Sequence, residues 1–184
     1  MPNIYKAIRD AMKTCLSDAT NGFNAQLAAL KDSYGITAFA IDWTSSSRNF
    51  VQAYLDPEAL DVSKVCEFPA VVLYTGEAVN ERRVKYQKFS GQVLAHVDFY
   101  LRYRLLKDPQ IAGNATPPGT DDFESIADAV VDAAVETFWD QKATLRAAGA
   151  LWAGEYRIDR DPVQQFGDGQ GQRIAITLGF ERHT

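Results

Sequence analysis

The stretch QVLAHVDFYLRYRLL, residues 92–106, restricts the fold more than any other part of the chain. Val93, Ala95, Val97, Phe99, Leu101, Tyr103 and Leu105 alternate with positions that include His96, Asp98, Arg102 and Arg104. Successive side chains of a strand point to opposite faces, so this period of two gives one apolar face and one charged face. Thirteen strand residues span roughly 43 Å, about twice the usual length. The pattern predicts a long strand that twists, carries a bulge or projects beyond the body.

The neighbouring segments supply its partners. FPAVVLY, 68–74, reads as a buried strand bounded by Pro69 and Gly76, and RRVKYQKF, 82–89, as a weaker one. Ser90-Gly91 is a turn signal ahead of the long strand. GITAFAIDW, 35–43, and FVQAYL, 50–55, read as an outgoing and a returning strand across the polar turn TSSSRN. ALWAGEYRI, 150–158, and the alternation of Ile174, Ile176, Leu178 and Phe180 give two more.

Helical spacing appears in three places. Residues 3–31 carry a stripe of Ile4, Ala7, Ile8, Ala11, Met12, Cys15, Leu16 and Ala19, with Asn3 as N-cap and Asn21-Gly22 as an end or interruption. DPEALDVSKV, 56–65, starts as a short helix. The clearest helix is 122–142, with Asp121 as N-cap, Glu124 at N3, and Phe123, Ile126, Ala127, Val130, Val131, Ala134, Val135 and Phe138 facing inward. Two long loops are also read, 107–121, rich in Pro and Gly, and 159–172, rich in Gly. With 184 residues and no internal repeat, the chain reads as a single α+β domain over 1–184. Its mainly antiparallel or mixed β-sheet is flanked by two main α-helices, with a long strand hairpin and extended loops.

A net charge of −5 argues against a nucleic-acid coat, which needs a basic surface. The two cysteines, Cys15 and Cys66, are too few for a disulfide scaffold and read as reduced thiols. MPNIYKAIRDAMKT has no apolar core of a signal peptide, and no run approaches a membrane span.

Chemistry-bearing motifs are sparse. Cys15, Cys66, His96 and His183 have no metal-ligand spacing. His96 and Asp98 share a strand face and could orient an imidazole toward Cys66 or a serine, but there is no G-x-S-x-G elbow; a half-solvated strand face is the plainer reading. GDGQG, 167–171, lacks the Lys-Ser/Thr of a phosphate loop and reads as a loop. No catalytic, cofactor or metal site emerges. Trp43, Trp139 and Trp152 could line a ligand pocket, and Tyr86, Tyr100 and Tyr103 with nearby bases could stack single-stranded nucleic acid.

Charge is segregated instead. Arg82, Arg83, Lys85, Lys88, Arg102, Arg104 and Lys107 crowd the central hairpin. Asp121, Asp122, Glu124, Asp128, Asp132, Glu136 and Asp140 load the 122–142 helix with acids, four apart from Glu124 onward. Like charges at that spacing cost roughly 0.2–0.5 kcal/mol per pair in an isolated helix. Three readings follow: a solvated helix face, a basic hairpin meeting the acidic helix of the next copy, or the same two elements paired within one chain.

The order of FPAVVLYTGEA, a charged strand, FSGQVLAHVDFYLRYR, a Pro/Gly loop, DDFESIADAVVDAAVETF and RIAITLGFE resembles the tail terminator (tail completion) proteins of long-tailed bacteriophages, over residues 60–182. The resemblance lies in element order and texture, since that family has no invariant catalytic motif. Residues 1–56 and 159–172 look larger than a minimal member needs. The resemblance implies a structural virion protein, a non-enzyme without cofactor, assembled in the host cytoplasm. It would form a ring, six-fold in the family, on the head-proximal end of the tail tube. Its partners would be itself, the tube protein and the head connector, with DNA passing through the channel. The interface residues would be Arg82, Arg83, Lys85, Lys88, Arg102, Arg104, Glu124, Asp128, Asp132 and Glu136. A head-closure protein of the same particle is the alternative, and a small-molecule-binding or enzymatic domain the more distant one.

Overall fold

The computed structural model describes residues 4–36, 39–44, 49–52, 69–80, 90–104, 120–146, 150–166 and 169–183. In chain order these form α1 (Ile4–Leu16), α2 (Phe23–Tyr34), β1 (Phe50–Val51), β2 (Ala70–Asn80) and β3 (Ser90–Arg104). There follow α3 (Thr120–Asp140), α4 (Lys142–Arg146), β4 (Leu151–Arg160), β5 (Gln164–Phe166) and β6 (Gly169–His183). The fold is α+β, with one open, mixed sheet in the order β1-β2-β3-β6-β4 and β5 paired to β6.

The long strand forms as its alternation predicts. β3 runs antiparallel to β6 without a register break, from Ser90↔His183 to Arg104↔Gly169. Bulges fall on the flanking strands instead, between Thr75 and Ala78 of β2 beside β3 and between Trp152 and Tyr156 of β4 beside β6. The central pair therefore stays regular while the outer strands absorb the irregularity.

The period of two separates the faces. Val93, Ala95, Val97, Phe99 and Leu101 join Val71, Leu73, Ile174, Ile176, Leu178 and Phe180 in one buried layer with the helices. Onto it α3 lays Phe123, Ile126, Ala127, Val130, Ala134 and Phe138, as its stripe predicts. The α1 stripe buries Ile8, Ala11, Met12, Cys15 and Leu16. Phe99 stacks on Phe23 of α2 with ring centroids 4.9 Å apart, which ties the central strand to the helical layer. Truncating such a ring costs about 3–5 kcal/mol, so Phe99→Ala would remove a large part of a marginal stability.

Several expectations need correction. Residues 39–43 are not a ladder strand: Phe39 and Ile41 are buried as the alternation requires, but the Asn24 side chain takes the place of a neighbouring strand. Its amide donates to the Ile41 carbonyl and its oxygen accepts from the Ile41 N–H, both at 2.9 Å. The 50–55 segment does not return as a hairpin. Only Phe50 and Val51 are strand among its described residues, and they run parallel to Val71 and Val72 of β2. The 159–172 segment is not a loop, because β5 folds back on β6 and Gly169–Gly171 pair with Arg104–Arg102. The clearest helix starts at Thr120, one residue before its expected cap Asp121, and stops at Asp140, where Gln141 breaks it from α4. The first helical stretch breaks earlier than Asn21-Gly22: α1 ends at Leu16, which leaves Ala19 in the connection, and Gly22 in extended geometry is the N-cap of α2. The Asn3 cap, the 56–65 helix, the 82–89 strand and most of the 107–121 loop lie outside the described residues.

Candidate functional site

The face of the sheet away from the described helices carries the chemistry. Even-numbered β3 residues meet odd-numbered β6 residues there, with Asp98 opposite Ala175 and His96 opposite Thr177. Asp98 is 1% exposed. Arg173 donates to Asp98 Oδ2 from Nε at 3.0 Å and from its terminal nitrogen at 2.9 Å. The Tyr74 hydroxyl donates to the same oxygen at 3.3 Å. Asp98 Oδ1 has no hydrogen-bond partner among the described residues.

Burial pushes the Asp98 carboxyl above its ordinary range, against the pull of Arg173. Burial also disfavours the Arg173 cation, but the Asp98 carboxylate more than offsets this and holds the guanidinium protonated. Tyr74 and Tyr100 are raised, first by burial and then by the Asp98 charge. Perturbed groups gathered in one place mark candidate functional sites, although a structural ion pair has the same signature.

His96 does not complete a dyad with Asp98. Its Nδ1 lies 2.9 Å from Thr177 Oγ1, and its ring stacks on Tyr74 with centroids 4.8 Å apart. It lies against Gly76, where a Cβ would come within 2.5 Å of Nε2. Burial lowers its pKa, with the Asp98 charge opposing and Arg173 adding to the effect. Cys66 lies outside the described residues. Cys15 is buried, and desolvation pushes its thiol up to about 12, which makes it a poor nucleophile.

Beside His96 a groove of about 400 Å³ runs over β3, β6 and β4, lined among others by Gln92, Leu94, Thr177, Arg157 and Asp159. The tryptophans do not form it. Trp152 is core, Trp43 packs on Phe23 and Phe50, and Trp139 packs on Trp152. Among the described residues no group of three His, Cys, Asp or Glu is placed to hold a metal. Tyr100 is buried, so it offers no open stacking surface; Tyr86 lies outside the described residues.

The acidic face of α3 finds partners within the chain, on β4 and α2. Arg160 of β4 reaches Asp128 at 2.6 Å and Glu124 at 4.0 Å. Tyr34 donates to Asp132, and Gln26 donates to Asp140 at 2.7 Å. Glu124, Asp132 and Glu136 are exposed. Arg102 and Arg104 lie near the end of β3, in register with Gly171 and Gly169. Arg82, Arg83, Lys85 and Lys88 lie outside the described residues.

Sequence reasoning missed Arg173, Tyr74 and Thr177. The signal was present: the alternation of Ile174, Ile176 and Leu178 places Arg173 and Thr177 on the opposite face. Pairing them with Asp98 and His96 needs the β3–β6 register, which no local pattern gives. No protein family matches the sequence, and no curated protein matches it.

Proposed function

We propose that the chain is a structural virion subunit that forms a ring, six-fold by the resemblance, on the head-proximal end of the tail tube of a long-tailed phage. In this reading it ends tube growth and presents a surface to the head connector. One ring face copies the tube subunit's interface and the other does not, so addition stops. The role is geometric and uses no catalytic group or cofactor.

The observation that carries the reading is the arrangement of the elements behind the resemblance. β2, led by Pro69, pairs with β3; β3 pairs with the closing β6 over its whole length; α3 covers that layer from one side. Fifteen paired residues extend roughly 50 Å, about twice the usual strand length. Opposite charge on hairpin and helix suits a head-to-tail contact, which closes into a ring when its rotation closes.

The test is imaging of the purified protein with and without tube protein. Annular particles, and caps at one end only of tubes, are the expected result. Tubes that grow to unlimited length with both ends bare would overturn the reading. Binding to connector but not to tube would transfer it to a head-closure protein of the same particle. The groove beside His96 favours a second reading, a small-molecule-binding domain. That reading expects a compact particle that never touches tubes and whose His96 environment shifts with ligand.

A further inference from the structure

β4 is an edge of the sheet: it pairs with β6 on one side and has no neighbour on the other among the described residues. Open strand edges pair with other strands unless something prevents it. Here the prevention is local. The bulge between Trp152 and Tyr156 distorts the first half of the strand, and Pro162 follows its end. Between them Tyr156–Arg160 forms a regular ladder with β6, from Tyr156↔Leu178 to Arg160↔Ile174. Arg157 and Tyr156 are exposed in this window.

Its charges do not repel a second copy of themselves. A protecting edge carries like charges, whereas this one reads Tyr156, Arg157, Ile158, Asp159, Arg160. Antiparallel pairing of the window with itself about Ile158 sets Arg157 opposite Asp159 of the second copy, and Asp159 opposite its Arg157. Ile158 then faces Ile158, and Tyr156 faces Arg160. Residues directly opposite on neighbouring strands are close enough for ion pairs, and the arrangement produces two by symmetry. Within one chain Arg157 already donates to Asp159 Oδ1 from two nitrogens, at 3.0 and 2.8 Å, so both groups lie on one face of the strand. One step further out the same register would bring Glu155 against Asp161, which limits the paired stretch to these five residues.

We infer that Tyr156–Arg160 is a homotypic docking edge, which joins two copies of this chain through an isologous, two-fold antiparallel strand pair. The contact is independent of the ring reading, which needs a head-to-tail surface, and it describes the free protein. Burying only five strand residues a side makes the dimer weak and concentration-dependent.

Sedimentation equilibrium across protein concentration tests it through a charge swap. The wild type is expected to show a monomer–dimer equilibrium. Arg157→Asp places two aspartates opposite each other on both sides of the two-fold, and is expected to weaken the dimer at least tenfold. Asp159→Arg does the same with arginines. The double variant R157D/D159R restores the complementary pairs and is expected to return the dimer to near wild-type strength. Circular dichroism of each variant checks that the fold is kept. A wild type that stays monomeric at every concentration overturns the inference, as do single variants that dimerise like the wild type or a swap that restores nothing. Failure to cap tubes would overturn the ring reading and leave this contact standing; rings that form normally from Arg157→Asp with an unchanged dimer would do the reverse.

Discussion

Arg173 places two of its nitrogens on a single oxygen of Asp98, at 3.0 and 2.9 Å, and leaves the other oxygen of that buried carboxylate without a partner among the described residues. The pair links the two central strands on the face opposite the described helices. A charge removed from water costs several kcal/mol unless its partner stays, so the two side chains are worth far less apart than together.

Arg173→Met should therefore destabilise the protein by about 3 kcal/mol. This is the lower end of the range for breaking a buried pair, since the Arg173 side chain is 27% exposed. At this chain length that is a fall in melting temperature of roughly 6–12 °C, read by calorimetry near neutral pH. Adding Asp98→Leu to Arg173→Met should recover most of the loss, because an apolar pair leaves no buried charge. A double variant as unstable as the single one would show that the ion pair is not what Arg173 supplies.

The acid limb of stability should respond to His96. Burial lowers its pKa in the folded protein relative to the ordinary 6.5. Between the lowered value and 6.5 the unfolded chain binds more protons than the folded one, so stability rises with pH in that window. The contribution is complete above about 6.5 and is lost as pH falls through the window to the folded pKa. Asp98, raised by burial, has the opposite sign: its share of stability falls as pH rises through its folded pKa. The difference between wild type and His96→Asn isolates the histidine. Melting temperatures from pH 5 to 8 should fall less steeply toward acid in the variant, and parallel curves would rule the histidine out as the source.

Asn24 replaces a strand partner for Ile41, and its loss should be felt locally. Asn24→Leu strands the N–H and the carbonyl of Ile41 in a partly buried site, at about 1–3 kcal/mol. Hydrogen exchange at the Ile41 amide should accelerate well beyond the change in β3. Equal acceleration in both would mean that the variant lowers global stability and that the amide clamp is not a local device.

That clamp also shows why part of the fold was legible in the sequence and part was not. Period-two and period-3.6 patterns report which residues face the core, and Val93–Leu101 and Phe123–Phe138 face it as read. They do not report what satisfies the backbone. Phe39, Ile41 and Trp43 alternate like a strand, yet a side-chain amide from α2 takes up the hydrogen bonds of Ile41. In the same way GDGQG looks like a loop because glycine is poor in strands, while the register places Gly169 and Gly171 opposite Arg104 and Arg102 in the longest ladder of the sheet. The polar face was half visible: His96 and Asp98 stood out, whereas their partners Thr177 and Arg173 come from a strand some eighty residues later.

Gly154 fixes the bulge that ends the regular part of the β4 edge. Its φ is +103°, a region costly to residues with a Cβ, and a Cβ there would lie 2.8 Å from Trp139 Cη2 and 3.2 Å from Lys142 Nζ. Lys142 in turn sits 4.4 Å from the centre of the Trp139 ring and donates to the Ala153 carbonyl at 3.3 Å. Gly154→Ala should cost roughly 2 kcal/mol, the strain of one residue forced to positive φ together with displacement of the indole. Tryptophan emission should change at the same time, because Trp139 is already partly exposed and loses its packing on the bulge. Trp139→Leu removes the collision but not the backbone strain. In that background Gly154→Ala should therefore still destabilise, by less than in the wild type. An equal cost in both backgrounds would assign the whole effect to the backbone, and no cost in the leucine background would assign it to the ring.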